Sequence, residues 1–230
     1  MKISIKRKNG FVDFEVDAQE VTLLEVLNKI KATIDNSLTY SSGCRSSVCG
    51  SCAVRVNETE VLACAYKVQE GDKIEPLNNV KVIRDLVVNM DRAYETNKKA
   101  KGWLAEFNPS AVISLEDEKI NELQSDCILC GSCYSACPVY AVNGEFLGPF
   151  ALTRVWKYVS DKREQNTQEK IDTIQTNGVW DCTLCNNCTV VCPQGISSKA
   201  DIEKLRMRST MAGYSDPNFA NSFDGGFGFF

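Results

Sequence analysis

The sequence predicts an α+β chain in two parts, a sheet-forming N-terminal part and an all-α C-terminal part. Three observations carry this. The twelve cysteines fall into three sets of four with none left over. The first set sits in a small-residue loop between a helical pattern and strand patterns. The other two repeat one motif, 55 residues apart, within a stretch of helical periodicity.

Residues 1–16 predict a hairpin. Ile3, Ile5, Phe11, Val12, Phe14 and Val16 mostly alternate, with Asn9-Gly10 as a type I′ turn signal between the arms. Thr22 to Glu25 has the form of a capping box, and Leu23, Leu27, Ile30 and Ile34 continue at helical spacing. A loop of small residues follows, from Ser41 through Cys44, Cys49 and Cys52. Short strands are expected around 53–56 and 61–63, with further strand material in 72–84. This order of hairpin, helix, cysteine loop and strands is that of a β-grasp ferredoxin domain, placed at 1–100. Residues 85–122 lack cysteine and look helical in parts, and the polar stretch Glu95–Lys101 reads as a linker.

From about 116 the pattern is helical. Candidate helices are Glu116–Gln124, Pro149–Val159, Thr167–Gln175 and Ser198–Met211, the last opening on a second capping-box pattern, Ser198 to Asp201. The two cysteine runs lie between helices, as in a two-cluster ferredoxin domain, placed at 101–212. A Gly/Phe-rich tail occupies 213–230. It reads either as a mobile terminus or, since its phenylalanines are costly to leave in water, as a segment that docks on a partner.

The spacings define the chemistry. Cys44, Cys49, Cys52 and Cys64 form C-x4-C-x2-C with a fourth cysteine twelve residues on, the plant-type [2Fe–2S] pattern. Cys127, Cys130, Cys133 and Cys137 precede Pro138, and Cys182, Cys185, Cys188 and Cys192 precede Pro193; both match the bacterial C-x2-C-x2-C-x3-C-P run. In two-cluster ferredoxins the fourth cysteine of each run ligates the other cluster. That rule assigns Cys127, Cys130, Cys133 and Cys192 to one [4Fe–4S] cluster, and Cys137, Cys182, Cys185 and Cys188 to the second. The prolines turn the chain away from the clusters. In the first loop Gly43, Gly50, Ser46, Ser47 and Ser51 keep bulk away and free backbone N–H groups for the sulfurs. Arg45 is placed to raise the potential by stabilising the reduced state; the bland alternative is a solvated arginine. A disulfide scaffold or structural zinc explains the repeated C-P runs less well.

Composition narrows the classes further. The net charge of −4 gives no support to nucleic-acid binding. Without histidine there is no His-ligated haem, no Rieske centre and no histidine base. No stretch is long and apolar enough to span a bilayer, so any membrane connection is expected through partners. No residue stands out as an acid, base or nucleophile for organic chemistry.

The segment Cys44-Arg-Ser-Ser-Val-Cys49-Gly-Ser-Cys52-Ala and the run from Cys127 to Gly148-Pro149 resemble the iron–sulfur subunits of succinate dehydrogenase and fumarate reductase. The resemblance covers residues 1 to about 212. It implies a relay. A FAD-containing partner interconverts succinate and fumarate, and electrons pass through the [2Fe–2S] centre and the two further clusters to a quinone at a membrane-associated subunit. The alternatives are a subunit of another flavin dehydrogenase, a thiol-linked fumarate reductase, or a free carrier.

Two departures from the family pattern matter. The usual third centre is [3Fe–4S], with a non-cysteine residue at the position of Cys185; here Cys185 completes the set and implies [4Fe–4S]. The alternative is [3Fe–4S], with Cys185 a buried free thiol. The tryptophan pair and the histidine often associated with the quinone pocket are replaced by Ala141-Val142 and Thr183. Both departures resemble the type E variants, whose membrane partner carries CCG-type cysteine-rich domains and whose donor in some cases is a methylated menaquinol. The lack of a signal peptide favours the cytoplasmic face. A flavoprotein with its own twin-arginine signal would instead carry the folded subunit to the periplasm.

Overall fold

The computed structural model describes residues 1–217; the phenylalanine-rich segment from Asn221 onward lies outside them. Strands β1 (Lys2–Arg7), β2 (Gly10–Glu15), β3 (Ala53–Val56), β4 (Thr59–Leu62) and β5 (Lys73–Glu75) form one sheet in the order β2-β1-β5-β3-β4, with helix α1 (Leu23–Thr33) between β2 and β3 in the chain. β1 runs parallel to β5 and antiparallel to β2. Leu23, Leu24, Val26, Leu27 and Ile30 of α1 pack on Ile3, Ile5, Phe14, Val54, Val56 and Ile74 of the sheet. A helix grasped by a mixed sheet is the β-grasp fold. The capping box at Thr22 forms: the Glu25 amide donates to Thr22 Oγ1 at 3.3 Å, and the Thr22 amide donates to Glu25 Oε2 at 2.7 Å.

The hairpin turn differs from the type I′ expectation. Arg7 pairs with Gly10, so the central residues are Lys8 and Asn9, neither at positive φ; the positive φ of 124° falls on Gly10. Phe11 and Val12 are exposed because β2 is an edge strand with no layer over its outer end.

A two-stranded hairpin, β6 (Lys81–Arg84) and β7 (Val87–Asn89), leads to α2 (Asp91–Lys99). The stretch read as a linker is thus mostly helix. Its inner face is made of small residues, Ala93, Thr96 and Ala100, all buried. These leave no large apolar periodicity in the sequence. Ala93 and Ala100 pack in the core of the second half.

That half holds α3 (Leu115–Ser125), α4 (Ser132–Ser135), α5 (Pro138–Val142), α6 (Gly148–Val159), α7 (Thr167–Thr173), α8 (Asn187–Val190) and α9 (Ser198–Met211). α6 is its centre: Phe150, Ala151, Leu152, Val155 and Trp156 face Tyr134, Tyr140, Ile202 and Leu205. Gly148, at φ 81°, brings the backbone against Tyr134, where a Cβ would stand 2.1 Å from the ring. Tyr134 donates its hydroxyl to Leu147 O at 2.7 Å and stacks edge-on against Phe150.

The second capping box does not form. The N-cap is Ser197, and no side chain caps the helix. The carboxylate of Asp201 has turned inward instead, accepting from Gln124 Nε2 at 2.8 Å.

A buried ion pair fixes the 101–108 segment. Lys170 and Glu164, with side chains 1% and 0% exposed, lie 3.2 Å apart. Lys170 Nζ donates to the carbonyls of Lys101 and Trp103, and Glu164 accepts from the amides of Ala105, Glu106 and Asn166.

Candidate metal centres

The first centre is built almost wholly by backbone. Arg45, Ser47 and Gly50 take φ values of 62°, 60° and 68°. Left-handed residues spaced through a short loop turn successive N–H groups inward. The amides of Ser46, Val48 and Cys49 donate to Cys44 Sγ at 3.2–3.3 Å. Cys44 N donates to Cys49 Sγ, and Ser47 N donates to Cys64 Sγ, each at 3.3 Å. Ser51 Oγ lies 3.1 Å from Cys49 Sγ and Ser47 Oγ 3.6 Å from Cys64 Sγ. Cys52, buried at the start of β3, meets Cys64 beyond the end of β4. Arg45 is exposed.

The thiols of this loop are tuned apart. The Ser51 hydroxyl and neighbouring amides bring Cys49 down to about 6, whereas burial pushes Cys52 up to about 11. Cys64 is lowered by Ser47 and Cys52 against the opposing effect of burial.

The helical half presents two cavities. One is lined by Cys127, Cys130, Cys133 and Cys192, with Phe150, Thr153, Ile196 and Ser198 around them. The other is lined by Cys137, Cys182, Cys185 and Cys188, with Phe146, Pro149 and Ile202. Each cavity takes thiols from both runs. The runs share one backbone: Leu129 and Leu184 have φ 57° and 55°, and Gly131 and Asn186 have φ 82° and 71°. Short helices α4 and α8 follow at the same offset. Asn186 does here what glycine does in the first run, because Asn tolerates the left-handed region.

Burial raises the pKa of Cys127, Cys130, Cys137 and Cys182, lifts Cys133 well above its ordinary value and pushes Cys188 to about 12. Such thiols deprotonate only against bound metal, so loading releases protons. Leu184 N donates to Cys182 Sγ at 3.4 Å, Ile196 N to Cys192 Sγ at 3.3 Å and Tyr140 N to Cys137 Sγ at 3.4 Å. Cys185 is exposed. It lines the second cavity from the exposed side and is not buried in the core, as the free-thiol alternative has it.

The donor set fits iron–sulfur clusters. Among the described residues no three Cys, Asp or Glu side chains converge on a single-ion position, as tetrahedral zinc requires. Four thiols spread around a cavity suit a polynuclear centre in which several irons each need sulfur. The first loop has a cradle of its own: a Cβ on Gly43 would meet Cys49 Sγ at 2.9 Å.

Contacts that the spacing arguments did not give tie the centres together. Gly50 lets the first loop touch the wall of the middle cavity: a Cβ there would meet Ile128 O at 2.7 Å and Cys130 Cβ at 2.8 Å. Gln194 Nε2, beside that cavity, donates to Ser47 O at 3.3 Å. Asn79 Nδ2 donates to the carbonyls of Tyr134, Ser135 and Cys137, and Ser135 Oγ donates to buried Glu60 at 2.7 Å. Arg206 donates to Val179 O and Cys182 O, holding the second run. Ala141, Val142 and Thr183 are exposed.

A β-grasp domain with a thiol-ringed loop, joined to a helical domain with two thiol-ringed cavities, defines an electron-carrying iron–sulfur protein. Residues 2–95 match the 2Fe-2S iron-sulfur cluster binding domain, and residues 123–196 match the 4Fe-4S dicluster domain. The chain is 35% identical over 235 residues to the 8-methylmenaquinol:fumarate reductase iron-sulfur subunit of Wolinella succinogenes, covering 93% of this chain and 74% of the relative. It is 33% identical over 228 residues to the fumarate reductase iron-sulfur subunit of Escherichia coli O6:H1, covering 91% and 93%. It is also 34% identical over 207 residues to the mitochondrial succinate dehydrogenase [ubiquinone] iron-sulfur subunit 3 of Arabidopsis thaliana, covering 85% and 66%. A chain of the solved Mycobacterium smegmatis Sdh1 complex in the apo form shares the fold, with a TM-score of 0.83 at 21% identity over 94% of this chain and 98% of that one. The chain belongs to the family of iron–sulfur subunits of succinate dehydrogenase and fumarate reductase. Its place is that of the electron-transfer subunit in a multi-subunit oxidoreductase. No described helix is long and apolar enough to cross a membrane.

Proposed function

We propose that this chain relays electrons between a FAD-containing subunit, which carries the succinate/fumarate chemistry, and a quinol at a membrane-associated subunit with CCG-type cysteine-rich domains. In this reading Cys44, Cys49, Cys52 and Cys64 hold a [2Fe–2S] cluster. Cys127, Cys130, Cys133 and Cys192 hold a [4Fe–4S] cluster. Cys137, Cys182, Cys185 and Cys188 hold a second one. The β-grasp domain spans 1–100, with α2 leaning on the helical core, the two-cluster domain spans 101–212, and the Gly/Phe-rich tail spans 213–230.

The observation that carries the reading is the membership of the last cavity, where Cys185 stands with Cys137, Cys182 and Cys188. A fourth thiolate gives a fourth iron its ligand. Bound clusters supply one-electron storage. The chain's own residues supply the sulfur ligands, the inward N–H groups and the contact of Gly50 with the Cys130 wall, which brings the first centre next to the second.

The reading favours fumarate reduction with a menaquinol-type donor, in line with the Wolinella relative's name and with Ala141, Val142 and Thr183 at the family's quinone-pocket positions. Low-temperature EPR of the anaerobically purified, mildly oxidised complex tests it. No [3Fe–4S] signal is expected, with two coupled [4Fe–4S] centres on reduction. A stoichiometric [3Fe–4S] signal without oxygen damage overturns the assignment of Cys185.

A further inference from the structure

Asp201 is an acidic side chain in an apolar core. It is 1% exposed, on the first turns of α9, and packs between α3 and α6. Oδ1 accepts from Gln124 Nε2 at 2.8 Å, and Oδ2 has no hydrogen-bond partner. Thr153, 2% exposed on α6, faces it, and its Oγ1 also lacks a partner. The charged group facing Asp201 is Lys204 on its own helix, 4.0 Å away with its side chain 46% exposed. From α3 and α6 the facing groups are the neutral Gln124 and Thr153.

This group borders a redox site. Thr153 lines the cavity of Cys127, Cys130, Cys133 and Cys192, as does Ser198, three residues before Asp201 on α9. An electron entering that cavity adds negative charge next to a carboxylate with a weak counterion in a medium of low dielectric. Like charges brought together favour protonation of the carboxylate. A protonated Asp201 donates toward Thr153 Oγ1, whereas the ionised form accepts from the Thr153 hydroxyl, so this neighbour serves either protonation state.

We propose that Asp201 takes up a proton when an electron enters the Cys127–Cys130–Cys133–Cys192 site, making this step of the relay proton-coupled. The inference rests on the reading that these thiols hold a cluster. One electron arrives from the relay and one proton from solvent. The carboxylate becomes a carboxylic acid, no sulfur ligand is exchanged, and both charges leave on reoxidation. Burial, opposed by Gln124, Lys204 and Thr153, pushes the Asp201 carboxyl up to about 6. It is therefore mostly ionised at neutral pH before reduction, and the added negative charge raises it further toward neutrality.

The test is EPR-monitored potentiometric titration of this centre in the purified complex at a series of pH values. In the wild type the potential falls as pH rises through a window that opens near 6, and it levels above. Asp201→Asn loses that slope. Its potential matches the wild type at the acid end, where Asp201 is already protonated, and exceeds it at the alkaline end, where the wild type carries the extra charge. A merely structural role would not make the two curves meet at low pH. A flat wild-type potential, or an unchanged slope in Asp201→Asn, overturns the proposal. If Asp201→Asn fails to assemble, Gln124→Leu decides: loss of the amide donor moves the window to higher pH, and an unmoved window overturns the proposal. Absence of any signal from this centre in the wild type overturns the cluster reading itself; a signal with a pH-independent potential overturns only the proton.

Discussion

The first thiol ring and the two helical rings solve one problem by opposite means. The N-terminal ring is local and partly open: its four cysteines lie within 44–64, Cys44 and Cys49 are exposed, and backbone amides hold its sulfurs. The helical rings are assembled from two runs 55 residues apart, and side-chain packing encloses them. A backbone cradle is held mainly by its own strained loop and the sheet beneath it. A packed cavity exists only while the surrounding helices do. Binding and folding are therefore separable in the first half and inseparable in the second.

The strongest way to break this comparison is Cys137→Ala. It takes one thiol from the ring of the second run while lying in the first. Iron analysis and hydrogen exchange should show one or both helical clusters lost and the amides of α6 and α9 unprotected. The sheet built from β1 to β5 and the [2Fe–2S] absorption should remain. Equal loss in both halves would mean that the β-grasp domain leans on the helical one for its own stability.

Next in size is Lys170→Met, which leaves Glu164 charged and buried without its partner. Breaking a buried pair from one side costs about 3–5 kcal/mol. Chemical denaturation of the complex should show the cost in the helical transition alone. The double replacement of Lys170 and Glu164 by apolar residues should recover part of it.

Asp201→Asn should act with the opposite sign. The Asp201 carboxyl is raised from 3.8 to about 6, so the folded state binds its proton more tightly than the unfolded chain. Its contribution to stability is fully present below the unfolded value and is lost as pH rises through the folded one. Above that window the buried carboxylate costs roughly 3 kcal/mol, and the amide should remove most of this. Melting curves should place the variant above the wild type at neutral pH, with the gap closing toward the unfolded carboxyl value.

The smallest effect sharpens the contrast from the other side. Ser51→Ala removes the hydroxyl 3.1 Å from Cys49 Sγ and leaves the surrounding N–H donors in place. A hydrogen bond to sulfur stabilises the reduced state. A loss of about 1 kcal/mol should therefore lower the [2Fe–2S] potential by roughly 40 mV with iron content unchanged, measured by titration of the first centre.

The features legible in the sequence were those whose cause is local. The capping box at Thr22 and the ends of α6 and α9 follow from spacing that neighbouring residues enforce. The illegible features have distant causes. Asp201 sits where a capping carboxylate would, but Gln124, 77 residues away, claims it. Gln194 reads as a polar residue after a proline, and its partner Ser47 lies 147 positions back. The second half of α2 reads as a linker because Ala93, Thr96 and Ala100 are too small to mark a buried face. The hairpin turn slipped by one residue because Gly10 closes the pair with Arg7 instead of sitting inside the turn.

The exchange of thiols between the two runs also sets a timetable. On a chain being synthesised, the first ring is complete once Cys64 has emerged, and iron can enter it while translation continues. Neither helical ring is complete until Cys188 and Cys192 have been made, more than a hundred residues after the first ring closes. Until then Cys127, Cys130 and Cys133 wait as an incomplete set on an unfolded segment, open to oxidation or to the wrong metal. Maturation of the helical half must therefore wait until the second run has been made, whereas the first ring needs nothing beyond Cys64.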